Sequence, residues 1–177
     1  EKKIKVKNLV DGTEYTEEYD NLVIATGSSP IVPPIVGIDG DNIFTLWTVP
    51  DTDKIRGYID EHKPTSAAVI GGGFIGLEMA ENLHAQGLKV SIIEMMDQVM
   101  APMDKEMAEL IHENLRMNGV ELLLGDGVKA FEKNGDRTTV KLNSGKSADF
   151  DIIILSIGIR PNSQIAKEAG LELNAKG

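Results

Sequence analysis

Cysteine is absent from the 177 residues. The chain therefore cannot perform thiol–disulfide chemistry by itself, and a cysteine-based metal site is excluded. Histidine is nearly as scarce. The three present, His62, His84 and His112, fall in separate predicted elements with no partner at ligand spacing, so they read as surface or satisfied helix residues and no metal site is expected. No apolar run approaches the roughly 20 residues of a membrane span, and the N-terminus lacks the apolar stretch of a secretory signal. A cytoplasmic setting without a membrane partner is the expectation. Bases are also in deficit, 18 against 28 acids for a net charge of −10, and such a field repels nucleic-acid phosphates. The first residue is Glu1 rather than Met, which suggests an excised segment or a processed start.

Hydrophobic residues make up 41% of the chain, enough to bury a core in one domain or a domain plus part of another. The most informative stretch is Ala67-Ala68-Val69-Ile70 followed by Gly71-Gly72-Gly73-Phe74-Ile75-Gly76 and a helical pattern. A strand delivers the chain to a tight turn at Gly71, Gly73 lets the backbone approach a pyrophosphate, and Gly76 lets the helix pack closely on the sheet. The pyrophosphate then sits on the free N–H groups at the helix start. A second strand, Lys89 to Ile93, ends in Glu94, 18 residues after Gly76, where a carboxylate can accept hydrogen bonds from both hydroxyls of an adenosine ribose. A merely structural turn and a solvated strand-end acid are the competing readings. The full order of strand, turn, helix, stop at Gly87, strand and acid favours a dinucleotide site. Glu94 would repel a 2′-phosphate about 4 Å away by about 4 kcal/mol per charge pair. Met95 and Met96 supply no compensating cation, and the nearest downstream base is Lys105; NAD(H) is preferred over NADP(H).

Around this unit, residues 4–10 and 13–19 alternate about Asp11-Gly12 and predict a hairpin. Residues 21–27 read as a buried strand, and the proline-bearing stretch 28–37 as an extended connector and the best candidate for a domain boundary. Helices are expected over residues 49–61 and from Asp104 to about Met117. Strands are expected at 120–124 and 151–157, with a three-stranded β-meander between them. Met95, Met96, Met100, Met103 and Met107 are expected to fill the core edge of the second βα connection and its helix. The fold class is α/β, a Rossmann-like three-layer domain with a central parallel sheet and a β-meander.

The order Ala25-Thr26-Gly27-Ser28-Ser29-Pro30, then Gly71-Gly72-Gly73-Phe74-Ile75-Gly76-Leu77-Glu78, then Gly158-Ile159-Arg160-Pro161-Asn162 resembles the flavin-dependent pyridine nucleotide–disulfide oxidoreductases, within them most the coenzyme A-disulfide reductase and NADH oxidase branch. That resemblance covers essentially the whole chain. It implies that residues 1–40 are the hairpin, strand and connector of an FAD domain, 41–158 an NAD(H)-binding domain, and 159–177 a segment returning to the FAD domain. The cofactors implied are NAD(H) and, in the full-length protein, FAD. The implied partners are NADH and the remaining FAD and interface domains of a homodimeric parent. Phe74 resembles the aromatic gate over the flavin, against a helix-start residue packing on the sheet. Glu78 resembles the acid that orients the nicotinamide end, against a first-turn acid favourable to the helix dipole. Gly158 is expected near the nicotinamide half, and Ala25, Thr26 and Gly27 on the flavin side of the domain junction. Arg160 reads as a junction ion-pair residue.

The family's N-terminal FAD-type glycine turn, redox cysteine and later Gly-Asp are not in this sequence, so the chain alone is expected to be inactive. Within the full-length flavoprotein it is expected to serve delivery of hydride from NADH to flavin, for reduction of a disulfide, persulfide or oxygen. The alternative is a non-catalytic NAD-binding sensor or assembly module. An ordinary dehydrogenase is disfavoured because no His, Lys or Tyr cluster follows the nucleotide unit.

Overall fold

The structure, a computed structural model, describes residues 2–175. Chain contacts divide it into two compact units, residues 28–160 and residues 1–27 with 161–177. In chain order the elements are β1 (Lys3–Lys7), β2 (Glu14–Glu18), β3 (Ser28–Pro30), β4 (Ile43–Thr45), α1 (Val49–His62), β5 (Ser66–Ile70), α2 (Phe74–Ala85), β6 (Lys89–Glu94) and α3 (Lys105–Met117). These are followed by β7 (Glu121–Leu124), β8 (Val128–Asn134), β9 (Arg137–Leu142), β10 (Ser147–Phe150), β11 (Ile152–Leu155), β12 (Ile159–Pro161) and α4 (Gln164–Glu168).

The larger unit has three layers. Its centre is a parallel sheet in the order β4-β11-β5-β6-β7. Strand sequences such as Ala67-Ala68-Val69-Ile70 and Ile152-Ile153-Ile154-Leu155 are apolar at every position because both faces of the sheet are covered. The two-residue period then sorts them. Ala67, Val69, Ile92, Ile152 and Ile154 meet Ile55 of α1 and Ala80 and Leu83 of α2 in one buried cluster. Ala68, Ile70, Ile93, Ile153 and Leu155 meet Phe131, Val140, Leu142 and Phe150 of the antiparallel meander β8-β9-β10 in another. At the strand starts, Asp151 fastens the layers: its Oδ2 accepts from the backbone N–H of Thr65 (2.8 Å) and of Ser66 (2.9 Å), and its Oδ1 pairs with Arg137 of β9 at 2.8 Å.

The smaller unit holds the β1–β2 hairpin, in register from Lys3↔Glu18 to Lys7↔Glu14. Its turn is set by Asp11, whose Oδ1 accepts the backbone N–H of Thr13 at 2.9 Å. Here the structure departs from the expected buried strand over residues 21–27. No strand of the described residues pairs with it, and without a ladder or a covering layer Leu22 and Val23 are left exposed. Residues 28–37 hold a short strand as well as extended chain, since β3 pairs with β12. The connector also packs inward, with Ile35 and Ile38 against the meander-side core and the Val36 carbonyl accepting the Phe131 N–H at 2.8 Å. The contact division falls after residue 27, at the start of this connector. The methionine cluster splits: Met100 is buried and Met103 packs on the core, but Met95, Met96 and Met107 are exposed.

Candidate functional site

A cleft of about 670 Å³ opens at the C-terminal ends of the parallel strands. This is where an open α/β sheet places its ligands, because the turns leaving successive strands diverge there. Every parallel strand contributes the residue or turn at its end: Leu46 after β4, the glycine turn after β5, Glu94 and Met95 at the end of β6, Asp126 and Gly127 after β7, and Ser156 after β11; the connector at Pro30, Pro33 and Ile35 and the meander at Phe131 and Asn143 add to the lining.

The glycines divide the work by position. Gly71 has φ +106°, a conformation L side chains rarely adopt, and a Cβ there would meet the Ser156 carbonyl oxygen at 2.5 Å. Gly76 is buried, and a Cβ on it would lie 2.0 Å from the Gly71 oxygen; this is the close approach of helix to strand that only glycine permits. Gly73 is different. Its backbone is extended (φ −81°, ψ −172°) and no atom lies within 4 Å of the place a Cβ would take. Nothing in the protein requires glycine at 73, and the bare surface faces the space a ligand would enter. Gly72, buried between these, is gripped from both sides. Its N–H donates to Glu94 Oε2 at 2.7 Å, and its carbonyl accepts the Met100 N–H at 2.8 Å.

Glu94 is thereby fixed. Its other oxygen accepts the Met96 N–H at 2.8 Å, so both carboxylate oxygens are oriented by backbone donors and each retains a lone pair for a further one. On the neighbouring wall, hydrogen bonds from Ser144, by side chain first and also by its amide at 3.1 Å, hold the Asp126 carboxyl below its ordinary range. The acidic edge of the cleft thus carries two carboxyl groups, those of Glu94 and Asp126.

Of the residues expected from sequence, Gly71, Gly72, Gly73, Phe74, Ile75, Glu94 and Gly158 line this one cleft. Phe74 opens α2 largely exposed rather than packed on the sheet, and Glu78 lies one helical turn further on, exposed and outside the cleft lining. Gly158 lies beside β12 with its carbonyl accepting the Ile31 N–H at 2.9 Å. Ala25, Thr26 and Gly27 belong to the smaller unit, where Thr26 Oγ1 donates to the Asn162 carbonyl at 2.5 Å and Gly27 accepts the Asn162 N–H at 2.9 Å. Arg160 is exposed and has no ion-pair partner among the described residues. His112, expected at the surface or satisfied, is buried, and its Nδ1 makes no hydrogen bond. Sequence reasoning missed Met95, Asp126, Gly127 and Ser156. Each lies within three residues of the end of a parallel strand, and that position was the available signal. No helix of the described residues is long and apolar enough to cross a membrane, and none of their His, Asp or Glu clusters could hold a metal ion.

Comparison with known proteins agrees with this geometry. The family model for pyridine nucleotide-disulphide oxidoreductases matches residues 1–177. An NADH oxidase of Methanocaldococcus jannaschii is 39% identical over 166 residues, 92% of this chain and 36% of that protein. A coenzyme A disulfide reductase of Staphylococcus haemolyticus is 33% identical over 174 residues, 98% of this chain and 38% of the relative. Among solved structures, reduced Bacillus anthracis CoADR-RHD superposes with a TM-score of 0.93 at 50% identity, covering 99% of this chain and 31% of that one. The chain thus spans little more than a third of the length of the relatives it matches.

Proposed function

The chain belongs to the pyridine nucleotide-disulphide oxidoreductase family, and from that premise we propose that residues 41–158 are the NAD(H)-binding domain of an FAD-dependent oxidoreductase. One observation carries the reading: Gly73 is a glycine that the protein itself does not need, set between a helix start and a carboxylate held by two backbone donors. A dinucleotide supplies what is missing on both sides. Its pyrophosphate takes the bare backbone at Gly73 and the unpaired N–H groups that open α2. Its adenosine ribose diol donates to the lone pairs left on Glu94. NADH is favoured over NADPH, because Glu94 and Asp126 leave the ribose edge acidic and no cation lines it.

The nicotinamide half then lies toward Phe74 and Gly158, at the apolar end of the cleft with Ile157 and Ile159. Bound NADH supplies the hydride and the flavin of the full-length protein accepts it. The residues of this chain bind, orient and exclude water. Residues 1–40 and 159–177 are proposed as parts of the FAD domain, with Ala25, Thr26 and Gly27 on its flavin side. The names of the relatives include an oxidase and a disulfide reductase, which supports a parent enzyme that passes electrons to oxygen or to a sulfur acceptor. Calorimetric titration of the 177-residue chain with NADH tests the reading. Saturable one-site binding is expected; no binding by a chain with a native circular dichroism spectrum would overturn it.

A further inference from the structure

The α3 residue His112 sits behind the glycine turn, with its side chain 1% exposed. Its Nε2 lies 3.0 Å from the backbone nitrogen of Val99. A backbone N–H can only donate, so Nε2 must be the lone-pair nitrogen of a neutral ring whose proton is on Nδ1. That proton faces Glu109, whose Oε2 is 3.3 Å from Nδ1, within ion-pair distance but without hydrogen-bond geometry.

Val99 is the residue through which this contact reaches the cleft. Its side chain packs directly on Gly72: a Cβ at Gly72 would meet Val99 Cγ1 at 2.9 Å and Cα at 3.3 Å. The next residue, Met100, has φ +50°, an uncommon conformation for a side-chain-bearing residue, and donates its N–H to the Gly72 carbonyl. The conformation at 99–100 persists because its surroundings over-determine it. On its other side the Gly72 N–H donates to Glu94.

We propose that His112 is a positioning residue for nucleotide binding, acting through Val99 and Met100 to hold Gly72 and the glycine turn in register with Glu94. The proposal rests on reading the cleft as an NADH site, and it adds a buried residue, remote in sequence from the glycine turn, to what sets that site's affinity. Without an acceptor at 112 the Val99 N–H has no partner, the 99–100 segment relaxes, and Gly72 loses the wall that fixes its carbonyl. Glu94 and the turn then no longer present their donors and acceptors in one arrangement.

The test compares His112→Leu, which keeps apolar volume and removes the acceptor, with His112→Gln, whose carbonyl oxygen can replace Nε2. NADH affinity of the 177-residue chain is measured by calorimetry at a temperature where circular dichroism shows each variant folded. His112→Leu should bind NADH about tenfold more weakly, the equivalent of ~1.4 kcal/mol, and His112→Gln should recover most of that loss. Hydrogen exchange at the Met100 amide should speed up in the leucine variant and not in the glutamine variant. A folded His112→Leu chain that binds NADH within twofold of the unsubstituted chain would overturn the proposal. Should the leucine variant not fold, the unsubstituted chain decides: saturating NADH must slow exchange at the Val99 and Met100 amides, and unchanged exchange at both rejects the link. Failure of the unsubstituted chain to bind NADH at all would instead overturn the nucleotide reading itself.

Discussion

The Glu94 carboxylate holds the backbone N–H of Gly72 at 2.7 Å, tying the end of one parallel strand to the turn that leaves its neighbour. An acid recruited only for a ribose would not need this contact. Because it also orders the turn, Glu94 has two separable effects. Glu94→Ala removes the charge that rejects a 2′-phosphate, so the preference for NADH over NADPH should shrink by about tenfold or more. It also frees Gly72, so NADH itself should bind more weakly. Calorimetric titration of both nucleotides with both chains measures the two effects; equal affinity for NADH and NADPH in the unsubstituted chain would refute the assignment.

Gly73 and Gly76 should fail in different ways when given a side chain. At Gly73 the backbone is extended and the space is empty of protein, so Gly73→Val should keep its fold and urea midpoint while losing at least about 100-fold in NADH affinity, as its branches occupy the pyrophosphate space. At Gly76 even alanine would place its Cβ 2.0 Å from the Gly71 oxygen, so Gly76→Ala should cost about 1–3 kcal/mol of stability through overpacking. Paired urea unfolding and NADH titration separate the two, and a Gly73→Val chain that binds NADH normally would mean that the pyrophosphate lies elsewhere.

Flavin retention tests how much of the redox site the chain carries. The sequence has one dinucleotide turn, at Gly71–Gly76, and no cysteine. The purified chain should be colourless and should not consume NADH when coenzyme A disulfide is added. A flavin absorption band, or a steady fall of absorbance at 340 nm, is the contrary result.

How much of this was legible in the sequence follows from how local each signal is. The βαβ unit could be read because strand, turn, helix and acid are contiguous and each is fixed by short-range chemistry. The meander and the hairpin were legible for the same reason, their turns being marked by Asp11-Gly12, Asn134-Gly135 and Asn143-Ser144-Gly145. Residues 21–27 carry the composition of a buried strand, but a strand forms only where a partner lies alongside, and composition does not report the partner. Met95 and Met96 look like core residues by hydrophobicity, yet they follow the last residue of β6, where the chain turns out toward the cleft. His112 was the least legible, since its significance comes from Val99, thirteen positions away and brought near only by the packing of α3.

Acid should weaken the larger unit through Asp151. Burial pushes this carboxyl up, but hydrogen bonds from Thr65 and Ser66 outweigh that and hold it below its ordinary value; the ion pair with Arg137 adds to them. A carboxyl lowered in the folded state contributes stability that is fully present above its unfolded value of about 3.9 and is lost as pH falls through the folded value. Asp151→Asn removes that titration and deprives Arg137 of its ion pair. At neutral pH it should cost about 1–3 kcal/mol, since the backbone donors of Thr65 and Ser66 compete for one neutral oxygen. Other acids lowered by their own contacts, such as Asp51 and Asp149, also titrate on acidification, so the quantity to follow is the difference in urea midpoint between the two chains. That difference should be largest at neutral pH and close steadily below about pH 4. A difference that stays constant from neutral pH down to about pH 3 would mean that Asp151 fastens the strand starts by packing rather than by its charge.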